Sequence, residues 1–229
     1  LPDIYKSSGF GGGVIQDSAS SAVLCAVIAA RELTKKRVAR EGVQRRLIGY
    51  CSEEAHSSVE KAFVIAGLGG ENLRKIPSDS NGSLSDSVLE EQIALDLSED
   101  LRPFFICGTV GSTSRLSRDP IKKIGQLAGQ NDCWLHVDSA MAGTAAVCPE
   151  FRYLNDGIEL ADSYCFNPHK WMLTNFDCNC FYVKDEKNLT SALSILPEYL
   201  RNPRALEQPV VDFRDWQIPL GRRFRALKL

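Results

Sequence analysis

The chain has 229 residues, 44% of them hydrophobic and 24% charged, with a formal net charge of −2. That size and make-up bury a core and read as one large α/β domain. The near balance of charge, with no basic stripe interleaved with aromatics, excludes a general nucleic-acid or membrane-surface role. No apolar run approaches the roughly 20 residues of a membrane span.

In chain order, Gly11-Gly12-Gly13-Val14-Ile15-Gln16-Asp17-Ser18-Ala19-Ser20 reads as a flexible glycine loop running into a helix over about 20–40. Small hydroxyl residues at a helix start cap its free N–H groups, and the same end attracts phosphate. Two rival phosphate motifs fail here. Gly9-Phe10-Gly11-Gly12-Gly13-Val14 lacks the last glycine of the dinucleotide fingerprint, and no Gly-Lys-Ser/Thr follows to make a P-loop. Further helices are expected near 55–67, 85–97, 120–130 and 187–195, and strands near 46–50, 73–76, 103–107, 134–138, 162–166 and 178–183. This alternation predicts a mostly parallel sheet with helices on both faces. The stretch 197–219, with Pro203 and Pro209 inside it, lacks periodicity and reads as a long loop of the kind that serves as a mobile lid.

Two strand ends carry the chemistry. The run 134–138 ends on Asp138, and the run 161–166 leads into Asn167-Pro168-His169-Lys170-Trp171. A lysine used in covalent chemistry needs a fixed place where its amine meets a carbonyl. In a parallel α/β sheet the carboxyl ends of the strands line the ligand crevice. Alone, Asp138 fits a metal ligand, a general base or the partner of a protonated cofactor nitrogen. Paired with Lys170 it fits pyridoxal 5'-phosphate, which needs both a lysine and a carboxylate against its pyridinium nitrogen.

Eight cysteines are scattered through apolar stretches without a C-x-x-C pair, which points to a reducing, cytoplasmic compartment. Cys178 and Cys180 share one strand face and read as packing. The three histidines, His56, His136 and His169, assemble no metal set, and His136 reads as a strand residue beside the site.

Together these segments resemble the group II pyridoxal-phosphate-dependent amino-acid decarboxylases, most closely the aromatic-L-amino-acid decarboxylases. The resemblance runs through Gly-Gly-Gly-Val-Ile-Gln at 11–16, Ala-His-Ser-Ser-Val-Glu at 55–60 and Trp-Leu-His-Val-Asp at 134–138. It continues through Cys-Pro-Glu-Phe-Arg at 148–152, Phe-Asn-Pro-His-Lys-Trp at 166–171, Asn-Phe-Asp-Cys at 175–178 and Trp-Gln-Ile-Pro-Leu-Gly-Arg-Arg-Phe-Arg at 216–225. It implies the large domain of the fold type I, aminotransferase-like architecture over 1–229. A preceding dimer-forming segment and a following small domain are expected to be missing from this chain.

The resemblance also implies roles. Lys170 would carry the cofactor, Asp138 would pair with its ring nitrogen, and Ala140 and His56 would flank the two ring faces. Thr109 would lie beside it, while Ser18, Ala19, Ser20, Asn167 and His169 would hold the phosphate. Tyr199 would sit on a mobile loop and return a proton to the substrate carbon. The implied activity is decarboxylation of an aromatic L-amino acid by a homodimer. The alternatives are an aromatic-acetaldehyde synthase and a non-catalytic remnant. Synthases of that kind typically lose the loop tyrosine or the stacking histidine, and this chain keeps Tyr199 and His56. Asp17 stands where relatives carry glycine, setting a negative charge near the phosphate site. Met141 replaces a tyrosine, Ser139 and Asn179 are milder changes, and Gly221, a serine in histidine decarboxylases, suggests a roomier pocket.

Overall fold

The structure, a computed structural model, describes residues 10–41, 46–195 and 211–229. Among these, the strands are β1 (Gly12–Gln16), β2 (Leu47–Ser52), β3 (Leu73–Ile76), β4 (Arg102–Thr109), β5 (Trp134–Asp138), β6 (Ser163–Phe166) and β7 (Asn179–Val183). The helices are α1 (Ala19–Glu41), α2 (Ser58–Ile65), α3 (Asp86–Ser98), α4 (Ile121–Gln130) and α5 (Glu186–Leu193). The strands form one sheet in the order β1-β7-β6-β5-β4-β2-β3. β3, β2, β4, β5 and β6 are parallel, and β7 runs antiparallel to both of its neighbours. The expected mostly parallel sheet is therefore present, with one reversed strand inside one edge.

Both faces of the sheet are covered, so central strands are apolar throughout rather than alternating. All five residues of β5 are buried. On one face α1 lays Ala22, Val23, Ala26, Val27 and Ala30 onto the sheet, beside Phe63 of α2, Phe104, Phe105 and Phe181. Small side chains on α1 let the helix come close to the strands. Gly49 does the same under α2, because a Cβ there would collide with the Phe63 ring. On the other face Leu89 and Ile93 of α3 and Ile121 and Ile124 of α4 pack on Ile48, Ile106, Leu135 and Val137. Each such fully buried side chain is worth about 1.5–3 kcal/mol of apolar burial.

Three sequence expectations need correction. The glycine run is not a flexible loop but an edge strand, β1, paired with β7 from Gly12↔Val183 to Gln16↔Asn179. Its glycines serve close approach, since a Cβ on Gly13 would lie 2.6 Å from the Tyr182 ring and one on Gly12 would strike Trp216. Between β5 and β6 the chain makes 3-10 turns at Ala142–Val147, Pro149–Asn155 and Ile158–Leu160, where only loops were expected. The end of the supposed long loop is anchored. A 3-10 turn at Phe213–Trp216 buries Trp216, and Gln16 Nε2 donates to its carbonyl at 3.1 Å. Tyr199 lies outside the described residues. Among the described residues no helix is long and apolar enough to cross a membrane.

Candidate active site

The carboxyl ends of β4, β5 and β6 meet the start of α1 around a cavity of about 340 Å³. That is within the usual size range of small-molecule sites, roughly 300–1,000 Å³. Ser18, Ala19, Ser20, His56, Thr109, Asp138, Ala140, Asn167 and Lys170 all line it. Residues spread over more than 150 positions of sequence, from Ser18 to Lys170, thus reach one space.

Strand register sets the centre. Thr109, Asp138 and Cys165 are neighbours across β4, β5 and β6. Asp138 is 6% exposed, and its Oδ1 accepts the Ala140 N–H at 2.9 Å. The Thr109 hydroxyl is buried and has no hydrogen-bond partner. Such a group is costly inside a protein unless something else satisfies it. After β6 the chain turns through Asn167–Lys170, where the Lys170 N–H donates to the Asn167 carbonyl at 2.9 Å. Asn167 is itself fixed, because Asn179 Nδ2 donates to its Oδ1 at 2.6 Å.

Ser18 closes the phosphate-like end. Its Oγ accepts the Ser21 N–H at 3.3 Å, and its carbonyl takes the Ala22 N–H at 3.2 Å. The neighbouring first-turn N–H groups lack intrahelical partners and carry the positive end of the helix dipole. Asp17 does not line the cavity. It lies in an adjacent hollow with Arg222 and Arg225. The expected charge beside the phosphate site is thus set outside the cavity. Gly221 lines that same hollow rather than the cavity, with open space around it, so the roomier-pocket expectation finds no support within this chain.

The two imidazoles near the site are held alike. His56 Nδ1 accepts the Ser58 N–H at 3.1 Å at the head of α2. His169 Nδ1 accepts the Cys178 N–H at 2.9 Å. In each neutral ring the proton then resides on Nε2, which makes that atom a donor. Burial, followed by the Lys170 ammonium, pushes the His169 pKa down. His169 is not among the cavity-lining residues, so its expected place beside a phosphate is one the cavity itself does not include. His136 is different again. It is wholly buried, bonded through Nδ1 to Ser163 Oγ at 2.8 Å, and burial pushes its pKa down to about 4. It lies within β5, as its reading as a strand residue expected.

Sequence reasoning missed several members. Gly111, Ser112, Thr113 and Phe176 line the cavity, and so does Met141, which the sequence had singled out as a departure. Gly111 has a φ of 84°, and a Cβ there would lie 2.6 Å from Ala142 Cβ. Its signal was a glycine just past a strand end. Asp119 was missed altogether. It is 2% exposed, accepts the N–H groups of Thr109 and Leu84 at 2.7 and 2.8 Å, and burial raises its pKa to about 6. An aspartate before Pro120 at a helix head was the available sign.

Chemically, this set offers an amine for a carbonyl, a carboxylate for a protonated nitrogen, and free N–H groups for an anion. The unsatisfied Thr109 hydroxyl and the helix start show that the residues fit a phosphorylated, carbonyl-bearing heterocycle.

The chain matches, over residues 1–229, the family described as "Pyridoxal-dependent decarboxylase conserved domain". Phenylacetaldehyde synthase of Arabidopsis thaliana is 49% identical over 231 residues, covering 100% of this chain and 47% of that protein. Tryptophan decarboxylase 2 of Oryza sativa subsp. japonica is 48% identical, covering 100% of this chain and 46% of that protein. The crystal structure of Oryza sativa TDC with PLP and tryptamine superposes with a TM-score of 0.93 at 39% identity, covering 100% of this chain and 48% of that one. The chain spans about half the length of the curated relatives it matches.

Proposed function

The chain belongs to the pyridoxal-dependent decarboxylases, and on that premise we propose that its full-length protein removes the carboxylate of an aromatic L-amino acid as carbon dioxide, leaving the amine. One observation carries this reading: Lys170, Asp138 and the start of α1 line a single cavity. When bound, pyridoxal phosphate supplies an electron sink beside the substrate's α-carbon. Lys170 would hold the cofactor through its amine, the group suited to bond a carbonyl carbon. Asp138 keeps the proton on the ring nitrogen. Thr109 offers its free hydroxyl, and the first turn of α1 holds the phosphate. His56 and Ala140 bracket the ring, Asn167 and His169 support the phosphate end, and Tyr199 returns a proton to the α-carbon.

The test uses the full-length protein. Adding pyridoxal phosphate should give a visible absorbance band, and borohydride should fix the cofactor to the peptide that holds Lys170. Attachment elsewhere, or no carbon dioxide from any aromatic amino acid, sinks the reading.

A second reading is favoured by the 49% identical phenylacetaldehyde synthase. In that reaction the amino acid, oxygen and water give aldehyde, carbon dioxide, ammonia and hydrogen peroxide. Retention of Tyr199 and His56 supports the amine. Product analysis in air decides, and Tyr199→Phe should shift products from amine towards aldehyde and peroxide. Amine at the parental rate from that variant removes Tyr199 as the donor.

The full-length protein is proposed as a cytoplasmic homodimer. Eight unbridged thiols support the compartment. Exposed Trp171, Met172, Leu173 and Phe176 beside the cavity support a partner surface. Sedimentation at micromolar concentration would test the dimer.

A further inference from the structure

The last described segment reaches back to the loop that follows Lys170. Arg225 Nε and Nη2 donate to Asp177 Oδ1 and Oδ2 at 3.0 and 2.9 Å, a two-pronged pair. Lys228 Nζ adds contacts to the carbonyls of Phe176 and Asp177 at 3.2 and 3.3 Å. The side chains of Arg225 and Asp177 are only 10% and 19% exposed. Surface ion pairs contribute little, but a forked pair largely withdrawn from water fixes geometry as well as charge. The pairing holds the Asp177 carboxyl well below the usual carboxylate range.

The residues on either side of Asp177 bear on the site in different ways. Phe176 lines the cavity, and its ring centroid lies 4.5 Å from that of His169. Cys178 gives the N–H that fixes the His169 ring. Yet Phe176 is 75% exposed, so its own packing holds it weakly. Its place depends on the backbone at 176–178, which Arg225 and Lys228 tie down.

We propose that the Arg225–Asp177 pair is a positioning device that holds Phe176 as one wall of the cavity. Arg225 touches neither substrate nor cofactor. It acts through the loop, and the inference rests on the reading of this cavity as an aromatic amino-acid site. A displaced wall weakens substrate binding and leaves the cofactor in place. The effect falls on KM rather than kcat.

The experiment compares Arg225→Gln, Asp177→Asn, Arg225→Lys and Phe176→Leu in the full-length protein. Bound-cofactor absorbance, kcat, KM and calorimetric affinity for the product amine are recorded for each. Arg225→Gln and Asp177→Asn should raise KM about tenfold, with kcat within about twofold of parental and the absorbance band retained. Affinity for the amine should fall by the same factor. Arg225→Lys keeps the charge, loses the fork, and should raise KM about threefold. Combining Arg225→Gln with Phe176→Leu should cost no more than the worse single change, because both act on one wall. Parental KM in Arg225→Gln and Asp177→Asn overturns the proposal, and so do multiplying effects in the double variant. If Arg225→Gln fails to fold, parental KM in Arg225→Lys overturns it equally. A parental protein that shows no cofactor band fails the cavity reading instead, which keeps the two failures distinct.

Discussion

Two buried carboxylates, one on a helix that packs against the sheet and one at a strand end, behave in opposite ways. Asp96 of α3 is 1% exposed and closed on every side. Tyr50 donates its hydroxyl at 2.9 Å, and Arg74 reaches it with Nε and Nη2 at 3.1 and 2.8 Å. Asp138 is nearly as buried, but it lines a cavity and stands beside a hydroxyl with no partner. The closed cluster is structural, joining α3 to β2 and β3. The open one is where a ligand completes the hydrogen bonding. Burial of a charge does not by itself mark function; leftover valence facing a cavity does.

The sharpest way to test this contrast lies at the open end. Lys170→Ala should abolish both the visible band with pyridoxal phosphate and all release of carbon dioxide. A surviving band means that the amine comes from elsewhere. Asp138→Asn should cost about 3 kcal/mol of transition-state stabilisation, roughly two orders of magnitude in turnover, while the protein stays folded. Near-parental turnover would move the ring-nitrogen role to another residue.

At the closed end the sign reverses. Asp96→Ala leaves Tyr50 and Arg74 without their partner and should lower unfolding free energy by about 3 kcal/mol. Turnover per folded molecule should stay parental. A loss of turnover without a loss of stability would break the distinction.

Asp119 lies between these two cases, because it braces Thr109 but is only partly compensated. Its pKa is raised from 3.8 to about 6, with burial as the main cause. The folded state therefore binds its proton more tightly than the unfolded chain does, so ionising it opposes folding. Its contribution is fully favourable below pH about 4 and is lost as pH rises through about 6, a swing of about 3 kcal/mol. Asp119→Asn should flatten that part of the stability-against-pH curve, and an unchanged slope would assign it to other groups. The smallest effect is expected at a half-buried carboxylate that caps a helix. Asp185 accepts the Lys187 N–H at 2.9 Å to cap α5, and Asp185→Ala should cost about 1 kcal/mol in thermal denaturation.

The sequence made the alternating core legible because buried parallel strands and amphipathic helices have strong periods. Trp134–Asp138 and Ile121–Gln130 are examples. It made the covalent centre legible because Lys170 and Asp138 sit at strand ends, where a sheet presents its ligands. It misled at β1, since Gly12 and Gly13 look like loop residues until Tyr182 and Trp216 are seen packed against them. Those partners are far away in sequence and leave no local trace. Phe176 and Arg225 belonged to quoted motifs, but nothing in their spacing revealed that an ion pair joins the two segments. Tyr199 falls outside the described residues, and its proposed role rests on its sequence context.

The edge strand has a consequence for synthesis on the ribosome. Of the seven described strands β1 emerges before the others, yet its hydrogen-bonding partner is β7, and the Gln16 amide waits for Trp216, 200 residues later. At about 5–20 residues per second that interval is roughly 10–40 s. The parallel strands β2 to β6 are complete before the sheet can accept the strand that was made first. Within this sheet the β1 edge therefore closes after the parallel strands, and until β7 is made it lacks the neighbour it pairs with here.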